Sequence, residues 1–252
     1  MPLFSLKERV DMTVQRSICI SGTDRGIGLA LVKDYLLEGY TVFAGGITTE
    51  NEAFIQLSSQ FPDHLHTSFL DVGSDASVQA FAAFIASKTD KLELLINNAA
   101  ILGDMKQTVT DVIDFDEIQR VYNITALGAI RLTNYLIEPV MQGGQLIVNI
   151  SSEAGSIRQS HRESWFGYSM AKAALNMGST MIHTTIRKQG GRVLLIHPGW
   201  VKSAMNGSWS DAGTYTPEEA AANIRHIIKL NKDHIHEQPL YLAADTGEEL
   251  PW

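Results

Sequence analysis

The sequence predicts an α/β fold: one doubly wound, mostly parallel, seven-stranded sheet with helices on both faces. Three observations carry this expectation. Short apolar, β-branched runs alternate with longer stretches of helical periodicity along the chain. Several of those runs are apolar at successive positions (LELLI at 92–96, QLIVNI at 145–150, RVLLI at 192–196), as strands covered on both faces must be. A glycine-rich segment, SGTDRGIG, follows the first run directly and opens the first helical stretch.

Taken in order, strands are expected at 17–21, 40–44, 66–70, 92–96, 145–150, 192–197 and 239–242. Helices are expected near 26–38, 50–59, 75–88, 115–140, 166–189 and 217–230. Residues 17–252 read as one domain, because no low-complexity linker, charge block or fixed-period repeat divides them. Residues 1–16 read as an amphipathic N-terminal arm, with Met12 a second candidate start. Apolar stripes on the two longest helices, including Leu127, Leu132, Leu175 and Met177, read as core.

Composition narrows the function. The 252 residues are 44% hydrophobic and 19% charged, the balance of an ordinary globular protein. A formal charge of −8 argues against a nucleic-acid partner, whose phosphates call for a surplus of Lys and Arg. Cys19 is the sole cysteine and sits in SICIS, so it reads as a packed strand residue that forms neither an intrachain disulfide nor a thiolate metal site. His234 and His236 form an HxH with no third ligand nearby, and no metal is expected. With no apolar run of membrane-spanning length and no apolar signal core, the expectation is a cytoplasmic protein without membrane association.

Gly22, Gly26 and Gly28 stand where a strand turns into a helix. Glycines there let the chain turn tightly and bring its amides, and the positive helix end, against a pyrophosphate. Dinucleotide sites that select NAD usually carry an acid about twenty residues on, to accept from the ribose 2′-hydroxyl. Here AGGITTEN offers none at Gly45, Gly46 or Ile47, whereas Arg25 within the loop could meet a 2′-phosphate and Thr48 and Thr49 could donate to it. NADP(H) is therefore favoured, with NAD(H) the alternative.

The chemical end is NISSEAGS followed by FGYSMAKAALN. Tyr168 and Lys172 are four apart, on one face of a helix, so an ammonium can lie beside a phenol. A fixed cation lowers a tyrosine pKa from about 10 and makes proton transfer feasible near neutrality. Ser151 and Ser152 end the preceding strand at the carboxyl edge of the sheet, and alternation sends only one of them toward the site.

These motifs resemble the short-chain dehydrogenase/reductase family, within it the sniffer-like and C-factor-like carbonyl reductases, from Ser17 to Trp252. The resemblance implies a Rossmann-type fold and a set of roles. Ser152 would orient the substrate oxygen, Tyr168 exchange the proton, and Lys172 hold the nicotinamide ribose while lowering the tyrosine's pKa. Asn123, in RVYNITALGA, would hold a water leading to the lysine. On the cofactor, the resemblance points to Gly22, Asp24, Arg25, Gly26, Ile27, Gly28, Ile47 and Thr48. It adds Asp71 and Val72 of LDV on the adenine side, and Asn98, Ala99 and Ala100 of NNAA, where glycine is commoner at Ala100. HPGWVKSAM contributes Pro198, Gly199, Val201 and Ser203 around the nicotinamide carboxamide. It further implies a homodimer or homotetramer built on the two longest helices.

The function expected is NADPH-dependent reduction of a small, apolar ketone or aldehyde, or the reverse oxidation of an alcohol. Trp165, Phe166, Trp200, Trp209 and Tyr215 would close the pocket or pack its lid. Two alternatives remain: a non-catalytic NADP(H)-binding regulatory protein, and a serine hydrolase with Ser169 in GYSMA, a poor match to the G-x-S-x-G elbow because a loop separates it from the strand.

Overall fold

The computed structural model describes residues 16–49, 51–205 and 207–252. The expected N-terminal arm, Arg16 excepted, lies outside them, as do Met12 and Glu50, the first residue of the second expected helix.

Seven strands form one sheet: β1 (Ser17–Ser21), β2 (Thr41–Gly46), β3 (Leu65–Phe69), β4 (Leu94–Asn97), β5 (Leu146–Ile150), β6 (Arg192–His197) and β7 (Leu240–Ala243). Their spatial order is β3-β2-β1-β4-β5-β6-β7, and every neighbouring pair is parallel. The sheet is thus wholly parallel where the sequence predicted a mostly parallel one. Its order reverses between β1 and β4, which opens a crevice at the carboxyl ends of those strands.

Among the described residues, seven helices connect and cover the strands: α1 (Gly26–Leu37), α2 (Glu52–Gln60), α3 (Asp75–Ala86), α4 (Phe115–Tyr122), α5 (Gly128–Gln142), α6 (Phe166–Ile186) and α7 (Pro217–Asn231). Strand alternation divides the core into two halves. Ile18 and Ile20 of β1 pack with Leu31 of α1 and Ile224 of α7. Cys19, between them, faces the other way with Phe81 of α3, Leu132 of α5 and Ile147 of β5, as its place in SICIS predicted. Each such aliphatic side chain stabilises the fold by roughly 1.5–3 kcal/mol relative to an exposed one.

Two expectations need correction. The single helix at 115–140 is two helices, separated by a π-helical turn at Asn123–Leu127. One wide turn there is invisible to periodicity, because the pattern on either side remains helical. The apolar stripes are also only half core: Leu132 and Leu175 are buried, whereas Leu127 and Met177 lie on exposed faces. A stripe broad enough to wrap beyond the buried face looks the same in sequence as one that ends there.

Candidate active site

The glycine loop is held from β4. Asn98 donates its side-chain amide to the carbonyls of Ser21 and Gly22, at 3.0 and 2.9 Å. The Ser21 hydroxyl in turn accepts from the backbone N–H groups of Asn98 and Ala99. Gly22 has φ +67°, and a Cβ there would lie 2.7 Å from the Ala99 Cα. Gly28 has no room either, since a Cβ would overlap the Gly22 carbonyl oxygen. Gly28→Ala is therefore expected to lower stability by about 1–3 kcal/mol and to weaken dinucleotide binding with it. Urea unfolding and a cofactor titration of the same variant measure the two effects.

The mouth of α1 suits an anion. No side chain caps it and no acid occupies its first turn, whereas Asn51, Ser74, Asp114 and Thr216 cap α2, α3, α4 and α7. The amide groups of its first turn are left for a ligand to satisfy. Arg25, the N-cap residue of α1, is largely exposed. Ile47 and Thr48 are exposed just past the end of β2, which runs two residues further than the sequence suggested.

Asp24 comes closer to β2 than its place in the chain suggests. The sequence offers no acid at the end of β2, but the fold brings one there from the glycine loop: the position of a Gly46 Cβ lies 3.0 Å from Asp24 Oδ1. Arg25 lies 3.6 Å from the same carboxylate, so an acceptor and a cation share this corner. Counting residues along the chain cannot find an acid that arrives from another loop.

Past β3, Asp71 turns its carboxylate onto the Gly73 amide at 2.8 Å, and the buried Val72 packs under Gly128. Across the sheet, Gly199 at φ +82° lies beneath the Tyr215 ring, next to Pro198. Val201 bridges to Tyr215 and Ser203 to Ser210, which ties the segment after β6 into a small hairpin-like unit. Ala100 follows Ala99 at the end of β4, half-buried.

Tyr168, Lys172 and Ser152 are brought together. All three are buried. The Tyr168 phenol lies where the Ser152 hydroxyl favours its ionised form, and the Lys172 ammonium lies 5.5 Å from the centre of the Tyr168 ring. Lys172 Nζ donates to the Ile150 carbonyl at 2.7 Å, which anchors α6 to the end of β5. Ser151 points the other way and donates to Asn176 at 2.6 Å, so alternation at the strand end separates the two serines as expected. Ser152 is also fixed from behind, because the Tyr241 hydroxyl donates to its carbonyl oxygen.

The electrostatics depart from expectation. Burial pushes the Tyr168 phenol well above its usual value, and the Ser152 hydrogen bond only partly offsets this. Burial also pulls the Lys172 ammonium down to about 7. Burial thus raises the cost of charge on both groups.

Asn123 is held by two neighbours. At the start of the π-helical turn, its side chain donates to the Gly73 carbonyl at 2.9 Å and accepts from Arg131 at 3.0 Å. It thus braces the segment after Asp71 and Val72. The turn instead directs Thr125, buried two residues on, to the Ile101 backbone, whose N–H and carbonyl its hydroxyl meets at 3.1 Å each. The wide turn rotates the side chains after it, and a helix drawn straight through 115–140 assigns them to the wrong faces.

Ser169, the nucleophile of the hydrolase alternative, sits in the first turn of α6 with its hydroxyl buried and without a hydrogen-bond partner. His197 ends β6 with its Nδ1 3.6 Å from Glu153 Oε2. Trp165 stands edge-on to Tyr168, its ring centre 6.2 Å away, while Trp200 and Trp209 are exposed. Phe166 is half-buried at the start of α6. Among the described residues no helix is long and apolar enough to cross a membrane.

A glycine loop at the switch point of a parallel sheet, with serine, tyrosine and lysine converging at the ends of β5 and α6, is the architecture of a dinucleotide-dependent oxidoreductase. Residues 16–213 match the family model described as short chain dehydrogenase, and the chain belongs to that family. Its similarity to particular members is moderate. It is 32% identical to the C-signal protein of Myxococcus xanthus over 176 residues, which is 69% of this chain and the whole of that protein. The NADPH-bound carbonyl reductase from chicken fatty liver superposes with a TM-score of 0.81 at 26% identity, covering 94% of each chain. The carbonyl reductase Sniffer of D. melanogaster, at 22% identity, shares the fold with a TM-score of 0.82, covering 94% of this chain and all of that one.

Proposed function

We propose that this short-chain dehydrogenase is an NADP(H)-dependent carbonyl reductase, working equally in reverse as an alcohol dehydrogenase, with Tyr168 as proton donor. The observation that carries this is the buried meeting of the Tyr168 phenol with the Ser152 hydroxyl beside the Lys172 ammonium. The likeness to an NADPH-bound carbonyl reductase at 26% identity supports the cofactor and the substrate class.

The residues present fit a dinucleotide. The uncapped first turn of α1 and the glycine approach at Gly22 suit its pyrophosphate, Asp71 and Val72 its adenine, and Asn98, Ala99 and Ala100 the ribose side. Val201 and Ser203 would hold the carboxamide, and Lys172 its ribose. When bound, NADPH supplies the hydride; the protein supplies orientation, exclusion of water and the proton. Tyr168 passes its hydroxyl proton to the substrate oxygen, and Ser152 steadies that oxygen by hydrogen bonding. The half-buried aromatic residues around Tyr168 suit a small apolar ketone or aldehyde.

Arg25 is the cation available to a 2′-phosphate at this corner. Arg25→Ala should raise KM for NADPH about 10-fold, the lower end for an exposed charge-assisted contact, and leave KM for NADH nearly unchanged. Initial-rate kinetics with each cofactor test this, and equal effects on both would remove Arg25 from the site. The exposed faces carrying Leu127, Tyr135, Met177 and Met181 support assembly as a homodimer or homotetramer. We also propose residues 17–252 as one functional domain, and a cytoplasmic location.

Binding without turnover, the regulatory alternative, is favoured by the similarity to a signalling protein. NADPH oxidation measured with a panel of aldehydes and ketones, beside a binding titration, decides between them: tight binding with no turnover overturns the enzyme reading.

A further inference from the structure

Nothing in the chemistry at Tyr168 requires the segment after β7, yet that segment reaches the turn that carries Ser152. Past Ala243 the chain reverses. The Ala243 N–H donates to the Glu248 carbonyl at 2.9 Å, and the Leu250 N–H donates to the Tyr241 carbonyl at 2.7 Å. Leu242 and Glu249 form an antiparallel bridge within this reversal, so the chain from Glu249 runs back along β7, the last strand of the sheet. A return of this kind covers backbone groups that an edge strand leaves open.

The return brings Trp252 into two contacts. Its ring lies against that of Tyr241, with centres 5.6 Å apart and planes tilted by 47°. Its backbone oxygen accepts from the Arg158 N–H at 3.1 Å. Both contacts lead to one place. Tyr241 is fully buried, and its hydroxyl donates to the Ser152 carbonyl oxygen. Arg158 lies in the loop that leaves Ser152 for α6, and the same loop ends at Trp165, edge-on to Tyr168. Tyr241 pairs with Leu195 of β6, and Leu195 with Asn149 of β5. Two strand spacings, roughly 10 Å, therefore separate β7 from β5, a span that only a long side chain crosses.

We propose that Trp252 is a positioning residue for the reaction: it fixes Ser152 through the Tyr241 ring and the following loop through the Arg158 N–H, and so governs how the carbonyl substrate is held. This rests on Ser152 being the residue that orients the substrate oxygen.

The geometry separates this role from cofactor binding. In the sheet, β4, β5 and β6 stand between β7 and β1, so Trp252 acts on the side away from the glycine loop. Fixing the Ser152 carbonyl fixes where the hydroxyl of the same residue can point, and a displacement of about 1 Å at an orienting group can lower rate by on the order of 10²-fold. Without the indole, the Tyr241 ring gains room to turn and the loop loses the residue that seats its Arg158 contact. Wild-type Trp252 removes that freedom before substrate arrives, which is preorganisation of the substrate end alone.

The test is NADPH-driven reduction of 4-nitrobenzaldehyde by the full chain, with rates referred to the sites that bind NADPH in a titration of the same sample. Trp252→Ala should lower kcat/KM for the aldehyde about 10-fold and leave the Kd for NADPH within about twofold of wild type. Trp252→Phe keeps a ring against Tyr241 and should restore most of the rate. Tyr241→Phe removes the hydroxyl that holds Ser152 and should show a similar loss, and the double variant Trp252→Ala with Tyr241→Phe should lose little more than either single one, because both act along one path. Amide exchange at 153–158 should quicken in Trp252→Ala while that at 21–28 stays unchanged. A merely structural loss would lower the melting temperature and the fraction of binding sites, with kcat/KM per site unmoved. Wild-type kcat/KM in Trp252→Ala, losses that multiply in the double variant, unchanged exchange at 153–158, or a Kd for NADPH that rises in step with the lost rate each overturn the proposal. Ser152→Ala, run alongside, separates the two claims: near-normal turnover there brings down the assignment of Ser152 itself, whereas lost turnover there with an unaffected Trp252→Ala brings down only Trp252.

Discussion

Tyr168→Phe is expected to lower kcat for carbonyl reduction by about 10²–10⁴-fold, the range in which a positioned general acid contributes, while NADPH affinity changes little. Phenylalanine fills the same buried volume on α6, so the packing against Trp165 survives and only the hydroxyl that meets Ser152 is lost. The loss should appear in kcat, since the missing contact matters most as the substrate oxygen gains charge. Steady-state kinetics with a fluorescence titration of NADPH check both halves. A variant that keeps more than about a tenth of the wild-type rate would exclude Tyr168 as the proton donor.

Lys172→Met should produce opposite effects on activity and stability. Turnover is expected to fall about 10²-fold or more, because the ammonium beside the phenol is lost and nothing replaces it. Stability at neutral pH should rise. Burial lowers the folded-state pKa of Lys172 to about 7, far below the 10.5 of a free lysine. Between those values the unfolded chain binds the proton that the folded chain sheds, so this residue's penalty is full below about pH 7 and fades as pH rises toward about 10.5. Methionine removes that penalty and keeps the hydrocarbon packing, at the cost of the hydrogen bond to Ile150. Thermal melts should therefore show the variant above wild type at about pH 6–7, with the gap closing in mildly alkaline buffer. A wild type that is the more stable at neutral pH would mean that Lys172 is not the buried liability its surroundings imply. Such a trade between stability and activity is usual where function requires a charge in a dry place.

How much of this was legible in the sequence differs from part to part. Apolar runs such as LELLI and RVLLI located their strands to within two residues, because a strand covered on both faces leaves a continuous signature. Tyr168 and Lys172 could be paired because helical spacing places residues four apart on one face, and one helix carries both. Ser152 could be told from Ser151 only with the family's help, and the structure separates them by strand alternation. What stayed hidden depends on contacts between distant segments. Asp24 reaches the end of β2 from another loop, and Thr125 gains its position from a π-helical turn with no compositional mark. Desolvation of Lys172 is likewise a property of everything packed around it, which its neighbours in sequence do not reveal.

The amide of Asn98 joins two loops that lie 76 and 77 residues apart in the chain. That clamp orders events during folding. A chain that has paired β1 with β2 and β3 still has a glycine loop without its brace, since β4 must dock against β1 before Asn98 and Ala99 can hold it. Tyr168 and its companions come later still, from beyond β5. The brace of the glycine loop is therefore complete once β4 has been made, whereas Ser152, Tyr168 and Lys172 come from the second half of the polypeptide. Parallel pairings over such separations are slow to form, and ligand capture would reward the half-finished sheet for waiting.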